Sequence, residues 1–331
     1  MSKWKKCKLG DVIIFQRGFD ITLAQQSDGE YPVVSSSGIN SFHNESKATA
    51  PGVVIGRKGT LGTVFFLNRD FWPHDTTLWV KDFRGNDPKF IYYYLFTLKL
   101  NNYDVGSSNP TLNRNHIHLL PISIPDIPEQ KAIAGVLSSL DDKIDLLHRQ
   151  NKTLEAMAEA LFRQRFVEEA DDEWKEGKFP EEFDFTMGQS PVGTSFNESR
   201  IGMPMFQGNA DFGFRFPSER VYTTEPTRLA EPFDTLVSVR APVGEQNMAL
   251  SRCCIGRGVT AIRYRDNRDY YAYTYFKIRS LLTEIRQFND EGTVFGSIGK
   301  SDFEALDINI PPKALIDDFE NLAKPINRLV R

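Results

Sequence analysis

Several short runs carry residue types that could do chemistry. Asn109-Pro110-Thr111-Leu112 begins like an Asn-Pro-Pro-aromatic loop, in which an amide and a backbone carbonyl accept a target amine's hydrogens and the aromatic stacks on the base. The second Pro and the aromatic are missing here, and no Gly-x-Gly cofactor loop follows a strand, so methyl transfer lacks its parts. Pro125-Asp126 with Glu129 and Lys131 imitates a nuclease centre, where two carboxylates hold a divalent ion and a lysine assists water. All of these stand at one helix start, where carboxylates serve the positive end of the helix dipole. His43, His74, His116 and His118 have no Cys or carboxylate at metal spacing, so no metal site is expected. His116 and His118 flank Ile117 and would share one face of an extended segment. GRKGTLG at Gly56–Gly62 lacks the Lys-Ser/Thr ending of a phosphate-cradling loop. It reads as a tight turn that holds Arg57 and Lys58 exposed. No Ser-His-Asp or Cys-His set can be assembled, and no catalytic residue is expected.

Binding chemistry remains. In the first part of the chain Ser36, Arg57, Lys58, Asn109, Arg114 and Asn115 stand in loops rich in small residues. Gln207, Asn209, Arg240, Thr293, Ser297 and Lys300 do so in the second. Amides can bind adenine bidentately, Arg can bind guanine, and hydroxyls and backbone amides can hold phosphates. Taken as a matched set these twelve residues are candidates for DNA contact.

Charge neither makes nor removes a nucleic-acid partner. The 331 residues carry a net −4, but residues 1–127 hold 14 Lys and Arg against 11 Asp and Glu, and residues 128–178 hold 8 against 12. Residues 179–311 hold 14 against 18, and 12 of those 14 cations are Arg, the residue suited to forked contacts. A 40% hydrophobic and 25% charged composition excludes a disordered tail, a collagen-like fibre and a disulfide-framed miniprotein. No run of about 18 apolar residues codes a membrane span, and the first residues hold no apolar leader segment. Cys7, Cys253 and Cys254 cannot all pair, which fits reduced thiols and a cytoplasmic chain.

The elements that must position these loops follow from periodicity. Ile133, Leu137, Leu140, Ile144, Leu147, Leu154, Ala158 and Leu161 recur in steps of four and three, the heptad repeat of a coiled-coil seam. Asn151 interrupts the seam, and a seam Asn fixes register and partner number. Some 39 residues of helix make a rod roughly 58 Å long, which cannot bury a narrow stripe without a partner helix. After Glu168–Pro180, an acidic stretch expected as linker, the chain starts again. Gly106–Pro125 matches Gly292–Pro311 without a gap at an offset of 186, including Leu112 with Ile298 and Arg114 with Lys300. Val54–Gly62 matches Leu236–Gly244 at 182, and Leu9-Gly10 matches Met187-Gly188 at 178. Further on, Phe319, Ala323, Ile326 and Val330 repeat the helix start, with Pro325 inside. Strands are expected at Val53–Gly56, Thr63–Leu67, Thr77–Val80, Thr235–Val239 and Gly258–Tyr264, and a helix in each half at Lys89–Leu100 and Asp269–Phe288.

This pattern resembles the specificity (S) subunits of type I restriction-modification systems. The likeness rests on two tandem domains that each close with an Ile/Leu-x-Ile-Pro segment running into a helix, PISIPDIPEQKAIAGVLSSLDDKI and DINIPPKALIDDFENL, and on Met187–Gly213 as a recognition-domain opening. The resemblance implies an α+β fold of two pseudo-repeated target-recognition domains joined by long helices that pair as an antiparallel coiled coil. The domains would be 1–127 and 181–311, with a spacer helix at 128–167, a linker at 168–180 and a shortened second helix at 312–331. It implies a non-catalytic chain that binds a split double-stranded DNA sequence, one half-site per domain, and docks methyltransferase (modification) and restriction (nuclease-translocase) subunits. S-adenosylmethionine, ATP and magnesium would belong to those partners, and the chain itself would carry no cofactor. The coiled-coil and subunit-interface residues would be Ile133, Leu137, Leu140, Ile144, Leu147, Asn151, Leu154, Leu161, Phe319 and Ile326. In the family the two helices are about equal in length; here some 19 residues follow Pro312. Ile133, Leu137, Leu140 and Ile144 would then lack an intrachain partner, and a second S chain (a homodimer) or a partner subunit would cover them. Two rivals stand beside this reading: a coiled-coil scaffold for proteins with no DNA role, and a targeting unit of a related nuclease or methyltransferase.

Overall fold

Runs of β-branched and aromatic residues become strands because those side chains fit a pleated, half-buried surface. The computed structural model describes residues 4–103, 111–171, 173–287 and 297–330, apart from the side chains of 328 and 329, and the chain divides into two units, Met1–Leu146 and Leu147–Arg331. In the first unit an antiparallel sheet runs in the order Ile14–Arg17, Thr77–Asp82, Gly52–Gly56, Val64–Leu67. Beside it Gly38–His43, Tyr31–Ser35 and Trp72–Pro73 form a smaller sheet whose last pair is parallel. Lys5–Lys8 pairs with Pro121–Ile124. Helix α1, Pro88–Thr97, begins with Pro in its first turn, which removes one free amide, and an Asp87 side chain that accepts from Phe90 N at 2.8 Å, which satisfies another. Its buried Phe90, Ile91 and Leu95 meet Val53, Ile55, Leu112 and Ile117 in one core.

The second unit repeats this plan. Its antiparallel sheet runs Phe183–Met187, Val259–Tyr264, Thr235–Ser238, Gln246–Met248. The smaller sheet again contains a parallel pair, Met203–Phe206 with Cys253–Ile255. The duplication is legible bond by bond. Gly62 N donates to Gly56 O, and Gly244 N to Ser238 O, both at 2.9 Å. Leu112 N donates to Arg57 O at 2.9 Å, and Ile298 N to Val239 O at 3.0 Å.

Two expectations about the second copy need correction. Lys175–Lys178, inside the stretch expected as linker at 168–180, is a strand paired with Asp307–Ile310. Leu9-Gly10 corresponds to Phe179-Pro180 and not to Met187-Gly188. Leu9 N donates to Leu120 O and Phe179 N to Leu306 O, both at 2.9 Å, and each side chain is fully buried. Gly188 is instead the counterpart of Gly18, since their amides donate to Val259 O and Thr77 O at 2.9 and 3.1 Å. The true signal was Trp-Lys-x-x-Lys, present at Trp4–Lys8 and Trp174–Lys178. Core positions filled by Leu in one copy and Phe in the other hide the register.

Helix α2, Ile127–Arg163, is the long spacer, and it leads into a π-helical turn at Gln164–Glu168. Its first turn is tied to the first unit by buried Gln130, whose Oε1 accepts from Asp87 N at 3.0 Å and whose Nε2 donates to Asn86 Oδ1 at 2.9 Å. Ile133 and Ala134 pack on the first unit's core. Ile133 therefore has an intrachain partner, contrary to expectation, because the sheet and α1 reach the helix start. The other end of α2 packs within the second unit. Phe162 and Phe166 meet Phe319 of α4, Lys313–Leu329, with ring centroids 5.8 and 5.5 Å apart. Ala158, Leu161, Ala323 and Ile326 join that cluster, and so does helix α3, Tyr271–Gln287, through Tyr273 and Phe276. Between these anchored ends Val136, Leu140, Ile144 and Leu147 are 62, 56, 50 and 42% exposed. Leu137, Asn151 and Leu154 are half-buried. Among the described residues no helix is long and apolar enough to cross a membrane.

Candidate nucleic-acid interface

The turn after Gly52–Gly56 is built on two constraints. A Cβ on Gly56 would stand 2.0 Å from Thr60 O, so only glycine fits. Arg57 N and Lys58 N both donate to Thr76 O, at 2.9 and 3.0 Å, which fixes the backbone and leaves the two side chains outside the ladder. Lys58 bridges Thr111, drawing residues 111–115 alongside. There Asn113 accepts from Asn115 N at 2.9 Å and starts the helical turn Arg114–Ile117, while Ile117 anchors it in the core. Arg114 and Asn115 stay exposed.

The second unit builds the same arrangement. Arg240 bridges Ser297 as Lys58 bridges Thr111. Val239 N donates to Gly258 O at 2.9 Å, and a Cβ on Gly258 would lie 2.2 Å from Gln207 O. Gln207 is thereby brought beside the Arg240 turn. Asn209, half-buried, opens the next 3-10 turn, where its carbonyl accepts from Phe212 N at 3.0 Å. Lys300 is exposed but paired with Glu304 at 3.1 Å.

Not every candidate is where the sequence put it. Ser36 is buried under the turn, its carbonyl accepting from Thr63 Oγ1 at 2.8 Å, so it supports the loop. Arg57 is half-buried, with Nη1 donating to Asp75 O at 3.4 Å, because the turn folds back on residues 75 and 76. Burial, and then the charge of Arg17, lower its guanidinium from the ordinary range. Asn109 and Thr293 lie outside the described residues. His116 and His118 do not share an extended face, since residues 114–117 turn as a helix capped by Asn113. His118 Nε2 accepts from Phe15 N at 3.0 Å and its ring stacks on Phe15, a structural role. Burial foremost, with Arg114 and Arg84, lowers its pKa and favours the neutral ring. The histidines also have carboxylates near them after all. Asp20, His74 and Asp75 bring potential ligand atoms within 4.8 Å of one another, a grouping that separation along the chain conceals. His74 Nδ1 already meets Thr76 Oγ1 at 3.0 Å, and Asp75 pairs with Arg17 at 2.8 Å. Arg17 is the basic residue that sequence reasoning missed. Its position before Gly18, which has no room for a Cβ against His74 O, was the available signal.

In both units the exposed groups are cations, amides and hydroxyls held on rigid turns. Such groups fork onto phosphates and base edges. Comparison with known proteins agrees. Residues 1–156 match the family described as the type I restriction modification DNA specificity domain. A Methanocaldococcus jannaschii protein assigned to the type I restriction enzyme specificity subunits (MjaX) is 33% identical over 218 residues, 61% of this chain and 51% of that protein. The type I restriction enzyme HindI specificity subunit of Haemophilus influenzae is 31% identical over 192 residues, 51% of this chain and 42% of that protein. The matched stretches thus span about half the length of these relatives or less. The crystal structure of an S subunit of a type I restriction-modification system from M. genitalium shares the fold, with a TM-score of 0.69 at 16% identity over 99% of this chain and 90% of that one. With two matching α+β units, a long helix between their sequences and a specificity-domain match over residues 1–156, the chain resembles the specificity subunits of type I restriction-modification systems.

Proposed function

We propose that this chain reads one bipartite sequence in double-stranded DNA, each unit engaging one half-site. The observation that carries the reading is the doubled basic turn: Lys58 bridging Thr111 in one unit and Arg240 bridging Ser297 in the other. A copied reader with a cation at the same bridged position suits two contacts on one duplex, as paired half-sites do elsewhere. The chain supplies recognition, while methyltransferase subunits dock on its helices and a restriction subunit completes the complex. S-adenosylmethionine, ATP and magnesium then serve those partners. The exposed stretch Val136–Leu147 of α2 supports the docking role. A second copy of the chain on the same stretch is the alternative occupant.

Methylome sequencing of host DNA with and without this gene tests the reading. Loss of a single bipartite methylation motif is expected; an unchanged methylome overturns it. The scaffold rival predicts no salt dependence of binding to duplex DNA, whereas phosphate contacts release counterions and make log K fall with log salt.

A further inference from the structure

The first unit holds a feature that the second does not repeat among the described residues. Arg17, Arg57 and Arg114 line one cleft of about 310 Å³, together with Thr111 and Asn113 and the apolar Leu78 and Leu112. Arg17 ends a strand, Arg57 opens the basic turn and Arg114 starts the helical turn beside it. Lys58 stands next to them through its bridge to Thr111. Against these four cations the structure sets two carboxylates. Asp75 pairs with Arg17 at 2.8 Å, and Asp20 lies beyond it, within 4.8 Å of Asp75. Two positive charges remain in excess. Arg57 reaches only a carbonyl, Asp75 O, and the guanidinium of Arg114 has no partner among the described residues. Converging cations in a half-buried cleft repel one another unless an anion joins them. In the second unit the positions in matching register are Met187, Val239 and Lys300, and Lys300 is already paired with Glu304.

We propose that this cleft seats one backbone phosphate of the DNA, with Arg17, Arg57 and Arg114 as its donors. The inference rests on the DNA-binding reading above and assigns it an asymmetry: the first half-site is gripped through charge more strongly than the second. A base edge fits less well, since a neutral base leaves the charge excess in place while a phosphate offsets it and accepts forked guanidinium contacts.

Binding of the full chain to mixed-sequence duplex DNA over a salt series is the test. The double variant R17Q/R114Q should lower the slope of log K against log salt by about one, and adding R57Q should lower it little further, because all three serve a single phosphate. Asp75→Asn, which removes the nearest carboxylate, should tighten binding at every salt concentration. The methylated motif should not change, since phosphate contacts carry no sequence information. Inorganic phosphate should perturb the arginine side-chain N–H signals of the parent chain and not those of R17Q/R114Q. An unchanged slope in variants that melt like the parent overturns the proposal, and so does an altered motif with an unchanged slope, which would make the arginines base readers. Phosphate binding by a parent chain that ignores DNA would keep the cleft and remove the DNA reading. DNA binding indifferent to all three arginines would do the reverse.

Discussion

Glu182 and Glu320 show how burial sets the chemistry of single residues in the second unit. Both are buried carboxyls with one oxygen, Oε2, that finds no hydrogen-bond partner among the described residues. Tyr273 Oη donates to Glu182 Oε1 at 2.8 Å, and Tyr273 N donates to Glu320 Oε1 at 2.7 Å. Burial pushes each pKa up to about 7, against the opposing pull of Lys277 on Glu182 and of the Tyr273 amide and then Lys324 on Glu320, while Asp269 adds to the rise for Glu320. A carboxyl that holds its proton more tightly when folded stabilises the fold fully below its unfolded pKa, and that contribution is lost as pH rises through the folded value. The second unit should therefore melt lower at about pH 8 than at about pH 5.5, and E182Q and E320Q should each flatten that difference. Calorimetry of the full chain at the two pH values checks this, and an equally steep dependence in both variants refutes it. At this scale the sequence was partly legible. Lys58 and Arg240 could be found because the repeat aligns them, whereas Arg17 gains its role only through Asp75, 58 positions away. Ser36 looked like a donor to a ligand because its burial depends on Thr63 and Thr76 folding over it.

Elements are held by contacts that periodicity cannot announce. The heptad pattern of α2 identifies a helix and a seam, but Glu155 beside that seam reads as an ordinary solvated residue. In the structure it is buried, 3.1 Å from Arg215, itself 3% exposed, and 2.5 Å from Arg279. The Arg215 contact has the distance of an ion pair without the angle of a hydrogen bond, since Arg215 Nη2 and Glu155 Oε2 remain unsatisfied as donor and acceptor. The Arg215 guanidinium also lies 4.0 Å from the centre of the Tyr275 ring, and Arg279 Nη2 donates to Tyr275 Oη at 2.8 Å. One carboxylate thus joins α2 to α3 and to the loop carrying Arg215. Glu155→Ala would leave the buried Arg215 guanidinium without its counter-charge and Arg279 with Glu159 alone, and should cost about 3–5 kcal/mol in denaturant unfolding. Glu159, half-exposed and 3.2 Å from Arg279, should cost under about 1 kcal/mol when replaced by Ala. Equal losses at the two positions would show that Glu155 acts as a surface ion pair. The strands were read within a residue or two at Gly52–Gly56 and Val259–Tyr264, where a glycine closes the first apolar run and Gly258 precedes the second. Lys175–Lys178 escaped notice because charged, glycine-containing KEGK carries no strand signal and is specified by its partner Asp307–Ile310.

For the whole molecule, duplication was the readable feature and its exact register was not. Fixed order along the chain survives divergence, while a Leu-for-Phe exchange in a shared core position, as at Leu9 and Phe179, erases the match that a register needs. The duplication also explains why one part of α2 stands uncovered. Its start belongs to the first unit through Gln130 and Ile133, and its end meets α4 through Phe162 and Phe166. Val136, Leu140, Ile144 and Leu147 follow one another at helical spacing and are 62, 56, 50 and 42% exposed, an apolar stripe that the docking proposed above would cover. Covering the half of these four aliphatic side chains that is still exposed is worth roughly 3–6 kcal/mol by transfer arithmetic, an upper bound. Leu140→Asp sets a charge in the middle of the stripe at a side chain already 56% exposed, so the melting temperature of the isolated chain should hardly move. Its complex with methyltransferase subunits should instead weaken strongly, and light scattering on the mixture reads that loss directly. A second copy as occupant predicts a different result, in which the chain alone falls from dimer to monomer on the same substitution. If neither assembly responds, the stripe is an ordinary exposed helix face, and docking must lie on another surface of the chain.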